Sequence, residues 1–127
     1  MKKMNKSPSR WHSLRFAIQG IKTIISSEKN TWIYIPITIV VILLGLFFKI
    51  QTYEWFAIVI CLGLVWAFEA ANTALEALVN IRSPEIHPIA KIAKDCSAAA
   101  VLITAFTSAV IGMIIFLPRV LHLIGLF

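Results

Sequence analysis

The chain has 127 residues, 59% of them hydrophobic and 14% charged, with a mean hydropathy of +0.85. A water-soluble domain of this size would not carry so much apolar surface, so the class is a small polytopic membrane protein. The net charge of +6, from 12 Lys and Arg against 6 Asp and Glu, comes with no basic groove interleaved with aromatics and so does not suit nucleic acid.

Residues 1–7 are a basic tail. Ser7-Pro8 reads as a helix start, with Ser as N-cap and Pro in the first turn. From there Trp11, Leu14, Ile18, Ile21 and Ile25 recur at helical spacing. They predict an amphipathic helix over about 8–27, too polar to span and suited to the membrane interface, with its basic side chains reaching lipid phosphates. Glu28-Lys29-Asn30 interrupts the apolar trend. Residues 31–48 carry no charge and are long enough to cross the hydrocarbon core, with Pro36 near one end. No small-residue cleavage site follows, so this run is expected to be a retained span and not a signal peptide. Lys49 to Glu54 reads as a short turn, and a second span is expected over about 55–79. Residues 81–93, with two prolines, read as an aqueous loop. The third span is expected over about 96–117, stopping at Pro118. Cys61 and Cys96 have neither Cys-x-x-Cys nor Cys/His spacing and read as small packing residues.

Ten basic residues fall in the tail, the surface helix, its exit and the loop before span three, and two, Lys49 and Arg119, fall on the other side. The positive-inside bias places the amino terminus and the 80–94 loop in the cytoplasm.

The second span ends in a polar stripe. At about 100° per residue, Glu69, Asn72, Thr73, Glu76 and Asn80 share roughly 100° of arc. Ionisable groups at membrane depth cost about 2.5 kcal/mol or more each and mark functional sites, but a polar seam between helices would look the same. Glu69 and Glu76 lie roughly 10 Å apart along the axis, too far to share one ion or proton. Glu76 is nearer the surface, where Glu28 also emerges, and two carboxylates there could hold Mg²⁺ with substrate phosphates. Glu69, deeper among Val65, Ala67 and Phe68, suits a general base acting on a hydroxyl attached to a lipid. Lys94 could take a nucleotide phosphate as a point charge, whereas Lys91 reads as an ordinary cytoplasmic flank. Neither a P-loop nor a protein-kinase Gly-rich loop is present. Three spans are too few to enclose a site alone, which points to an oligomer.

EAANTALE (Glu69 to Glu76), followed by SPEIHP (Ser83 to Pro88) and AKD (Ala93 to Asp95), resembles the prokaryotic diacylglycerol kinase family, which includes the undecaprenol kinases. The resemblance covers nearly the whole chain, 1–127, as one integral-membrane lipid kinase domain. It implies an all-α membrane protein with three transmembrane helices and an N-terminal amphipathic surface helix, assembled as a homotrimer in the bacterial inner membrane. Active sites are then shared between protomers at the cytoplasmic interface. By motif, Glu69 would take the proton of the lipid hydroxyl, and Glu28 and Glu76 would hold Mg²⁺. Asn72 would support the γ-phosphate of ATP, and Lys94 and Asp95 would bind the nucleotide, with Glu85 and His87 close by. Arg15 would reach phosphate from the surface helix, and Ser97 would contact the lipid acceptor. Two positions depart from the family pattern: Asn80 replaces its usual Asp, and Phe16 stands where many members have Tyr. The SPEIHPIAKIAKD phrase looks more like the undecaprenol kinase branch. The competing reading, from another class, is a non-catalytic helical-bundle protein of the same fold. A channel fits less well, because the polar groups cluster toward one membrane face.

Overall fold

A computed structural model describes residues 9–27, 30–82 and 87–126. They form four helices: α1 (Arg10–Ser27), α2 (Thr31–Phe47), α3 (Thr52–Arg82) and α4 (Pro88–Leu123). Large apolar side chains stay exposed along all of them, including Leu43, Phe47, Phe56, Leu102 and Phe106. That pattern suits hydrocarbon as solvent, and the protein is an all-α membrane protein. Helices α3 and α4 are long and apolar enough to cross a bilayer. Helix α2, at 17 residues, is about 26 Å long, at the short end of what spans.

The first helix begins at Arg10, not near Pro8. Ser9 is its N-terminal flank, accepting His12 N–H and Ser13 N–H at its carbonyl at 2.9 and 3.1 Å. Ser7 and Pro8 lie outside the described residues. The chain axis bends by 102° between Arg10–Ser26 and Thr31–Phe47, and the Trp11, Leu14, Ile18, Ile21 and Ile25 stripe remains exposed. Both features are those of a helix lying along the interface before a span.

A tight hairpin joins α2 to α3. Lys49 takes a left-handed φ of 50°, and Ile50 N–H returns to Gly45 O at 3.1 Å. Gly45 is needed there, because a Cβ would stand 2.6 Å from Trp55 Cη2. Helix α3 starts at Thr52, and Glu54 Oε2 accepts Gln51 N–H at 2.7 Å. Trp66 Nε1–H donates to Thr38 Oγ1 at 3.2 Å, and its ring meets Tyr34 edge-on, so α2 and α3 run antiparallel in contact.

Helix α4 packs antiparallel on α3 and is longer than expected at both ends. The segment read as an aqueous loop over 81–93 is helical at 81–82 and again from Pro88. His87 is the N-cap, its Nδ1 accepting Ile89 N–H at 3.2 Å, with Pro88 in the first turn, where a missing N–H is harmless. At the other end the helix runs through Pro118 to Leu123. A proline inside a helix costs about 3 kcal/mol, but the next residue fastens this turn. Arg119 Nη1–H donates to Ile115 O at 2.5 Å, and Nη2–H pairs with Glu54 Oε2 of α3 at 2.8 Å. The apolar core, Ile50, Ile58, Ile115 and Phe116, sits toward this same end, leaving the opposite end to the polar stripe.

Candidate active site

On α3 the polar stripe faces inward. Glu69 is 0% exposed and Asn72 8%, and Glu76 is half-buried. Glu69 Oε1 accepts Asn30 Nδ2–H at 3.2 Å, and Thr73 Oγ1–H bonds back to Glu69 O at 3.0 Å. Asn72 Oδ1 is buried with no hydrogen-bond partner among the described residues. A buried acceptor left unpaired costs about 1–3 kcal/mol, so its retention needs a reason other than folding. A single chain buries both Glu69 and Asn72. What one chain leaves open is the water side of the stripe.

At that end Lys94 Nζ donates to Asn80 Oδ1 at 3.3 Å, bridging α4 to α3. Lys94 is half-buried and has no carboxylate partner among the described residues. An amide acceptor holds the ammonium without cancelling its charge. Asp95, expected beside the nucleotide, instead pairs with Lys91 at 2.5 Å on an exposed face. His87 is exposed and serves as the α4 cap, and Ser97, nearly three turns further along the helix, is half-buried. Arg15 lies on exposed α1 with Trp11, Gln19 and Lys22 beside a shallow surface recess. Glu28 and Glu85 lie outside the described residues. By helix rise Glu69 and Asn80 are about 16 Å apart, so the structure draws Glu69, Asn72, Glu76, Asn80 and Lys94 into one polar column. It does not bring Arg15, His87 or Asp95 against that column by any hydrogen bond or ion pair among the described residues.

Among the described residues no three His, Cys, Asp or Glu side chains converge as a ready metal cage. Glu76 makes no ion pair with any of them. A single half-buried carboxylate would fit a Mg²⁺ only if phosphates and water supplied the remaining oxygens.

Below Glu69 the same face of α3 turns apolar. Ile58, Cys61, Leu62 and Val65 share about 100° of arc with Glu69, Asn72 and Glu76. They line a groove of about 470 Å³ closed by Tyr34, Thr38 and Val41 of α2 and by Ala105, Ser108 and Phe116 of α4. A second apolar groove, of about 490 Å³, lies where Ile21 and Ile25 of α1 approach Trp66 and Ala70. The first groove ends at Val65, one helical turn before Glu69, and the charged groups gather at the other end of the stripe.

Missed from sequence was Asn30, whose amide touches the buried carboxylate. Its only signal was position, a polar residue opening an apolar run.

Fold and site together define a small helical membrane protein with a buried polar centre between an apolar groove and a charged helix end. The chain belongs to the prokaryotic diacylglycerol kinase family, whose profile matches residues 15–116. It is thus a lipid kinase. Over 101 residues it is 34% identical to the undecaprenol kinase of Bacillus subtilis (strain 168), covering 80% of this chain and 82% of that protein. It is 30% identical over 118 residues to the diacylglycerol kinase of Synechocystis sp. (strain ATCC 27184 / PCC 6803 / Kazusa), covering 92% of this chain and 67% of that one. A diacylglycerol kinase of Sinorhizobium sp. is 44% identical over 50 residues, 39% of this chain and 36% of that protein. No solved structure matches the chain.

Proposed function

We propose that this chain, as one domain over 1–127, transfers the γ-phosphoryl group of ATP to the hydroxyl of a membrane lipid at the cytoplasmic face of the bacterial inner membrane. Undecaprenol is the leading acceptor, after the Bacillus relative, and diacylglycerol the alternative. The observation that carries the reading is the buried Glu69 carboxylate one helical turn beyond an apolar groove, in one column with Lys94, which has no carboxylate partner among the described residues.

Phosphoryl transfer needs positioning and charge neutralisation more than covalent chemistry. Glu69 lies at the depth of a hydroxyl anchored by hydrocarbon, and takes its proton as the oxygen attacks phosphorus. Asn72, three residues nearer the surface, offers its amide to the transferred group. Lys94, about 16 Å from Glu69 along the column, draws in the polyphosphate, with Asp95, His87, Glu85 and Arg15 contributing around the nucleotide. Ser97 contacts the acceptor. Glu76 and Glu28 would hold Mg²⁺, which supplies positive charge between the phosphates. A homotrimer completes the water side of each site, which one chain leaves open, and the positive-inside bias puts that side in the cytoplasm.

The test is labelling of undecaprenol and of diacylglycerol from radiolabelled ATP by the purified chain. Glu69→Gln and Glu76→Gln are expected to abolish it while leaving the oligomer intact. Turnover at the unmutated rate in either variant would remove this mechanism. A folded, unmutated chain that labels nothing would mark a non-catalytic bundle.

A further inference from the structure

Asn30 occupies the N-cap position of α2, where Asn is favoured because its side-chain oxygen can accept an N–H from the first turn. Here it makes no such bond. Its backbone is already helical, at φ −65° and ψ −28°, and its carbonyl takes Ile33 N–H and Tyr34 N–H at 3.0 Å each. The side chain is directed across the fold, with Nδ2–H donating to Glu69 Oε1 at 3.2 Å over 39 positions of sequence. Asn30 is exposed and Glu69 is 0% exposed, so the amide reaches from the water side into the buried carboxylate. The next residue fastens the same corner: Thr31 is 1% exposed, and its Oγ1–H donates to Ile24 O of α1 at 2.8 Å.

We infer that Asn30 is a positioning residue for Glu69, holding its carboxylate in the orientation from which it meets the acceptor hydroxyl. The inference rests on Glu69 being the base. Glu has three side-chain torsions, and at a reacting centre a displacement of about 1 Å can cost on the order of 100-fold in rate. A donor anchored on the rigid start of α2 removes that freedom on the oxygen it holds. Asn30 thereby links the junction of the surface helix and the first span to the reacting group.

The conservative variants separate this role from capping. Asp caps as well as Asn and has the same shape, but as a carboxylate it offers no N–H and sets a second negative group against Glu69. Ser also caps and is too short to reach. If Asn30 served only α2, both variants would be silent. The full chain in detergent, with MgATP and a saturating lipid acceptor, is expected to lose about 10- to 100-fold in kcat as Asn30→Asp or Asn30→Ser. KM for ATP should stay within about two-fold, and the variants should elute as the same folded oligomer as the unmutated protein.

Unmutated kcat in Asn30→Asp would overturn the inference. So would recovery of kcat by excess Mg²⁺, which would route the effect through Glu28, two residues earlier. Glu69→Gln measured alongside keeps the two failures apart. If it is inactive while Asn30→Asp is fully active, only the Asn30 inference falls. If Glu69→Gln itself turns over, the base assignment falls and takes this inference with it.

Discussion

Arg119→Ala is expected to cost about 2–3 kcal/mol of stability and to leave turnover per folded molecule intact. The Arg119–Glu54 pair spans 2.8 Å with side chains 29% and 11% exposed. A fully exposed pair would be worth at most about 1 kcal/mol, and breaking a fully buried one costs about 3–5. This pair lies between those limits and nearer the second, since its loss strands Glu54 with only Gln51 N–H as a donor among the described residues. The same substitution removes the guanidinium from Ile115 O beside Pro118, where the helix already lacks one backbone bond. A loss of that size shifts the folding equilibrium on the order of 100-fold. Glu54 precedes Glu69 by fifteen positions on α3, roughly 22 Å along the axis, so the chemistry should not register the change. The assay is an SDS titration in mixed micelles of Arg119→Ala, Glu54→Gln and the double variant, with kcat measured on the folded fraction of each. The double variant should be less damaged than the sum of the singles by about 1 kcal/mol or more. Additive costs, or a fall in kcat in protein that remains folded, would refute the reasoning.

Four further substitutions at three sites extend the same reasoning. Gly45→Ala places a methyl 2.6 Å from Trp55 Cη2 and should destabilise by about 1–3 kcal/mol. Trp55→Leu in the same chain should return part of that loss on the SDS scale. Asn72→Leu removes a buried acceptor that has no partner among the described residues, so stability in the SDS titration should rise by up to about 1–3 kcal/mol while lipid phosphorylation disappears. Lys94→Met removes the ammonium held at Asn80 Oδ1 and should raise KM for ATP about ten-fold or more, with helix content unchanged by circular dichroism.

Much of the fold was legible because period and charge act locally. The α1 stripe of Trp11, Leu14, Ile18, Ile21 and Ile25 marked a surface helix, and the uncharged run from Thr31 marked a span. The α3 stripe showed that Glu69, Asn72 and Glu76 share a face. It could not show that the face turns inward, because that depends on packing against other helices. Pro118 misled for the same reason. Its local preference ends a helix, while Arg119 reaches Glu54 across 65 positions and holds the turn. Asn30 read only as part of a break in the apolar trend, and its contact with Glu69 lies 39 positions away, beyond the reach of local pattern. Asn80, read as a departure from the family pattern, is the acceptor for Lys94 of α4, fourteen positions away.

The central claim is that Glu69, one helical turn beyond an apolar groove, serves phosphoryl transfer to a lipid hydroxyl. Its most direct measurement is side-by-side labelling of undecaprenol and diacylglycerol from radiolabelled ATP in one detergent, by the unmutated chain and by Glu69→Gln. The expected result is labelled lipid phosphate from the unmutated chain, more from undecaprenol than from diacylglycerol, and none from a Glu69→Gln variant that elutes as the same oligomer. Labelling at the unmutated rate by Glu69→Gln, or no labelled lipid from the folded unmutated chain with either acceptor, would contradict it.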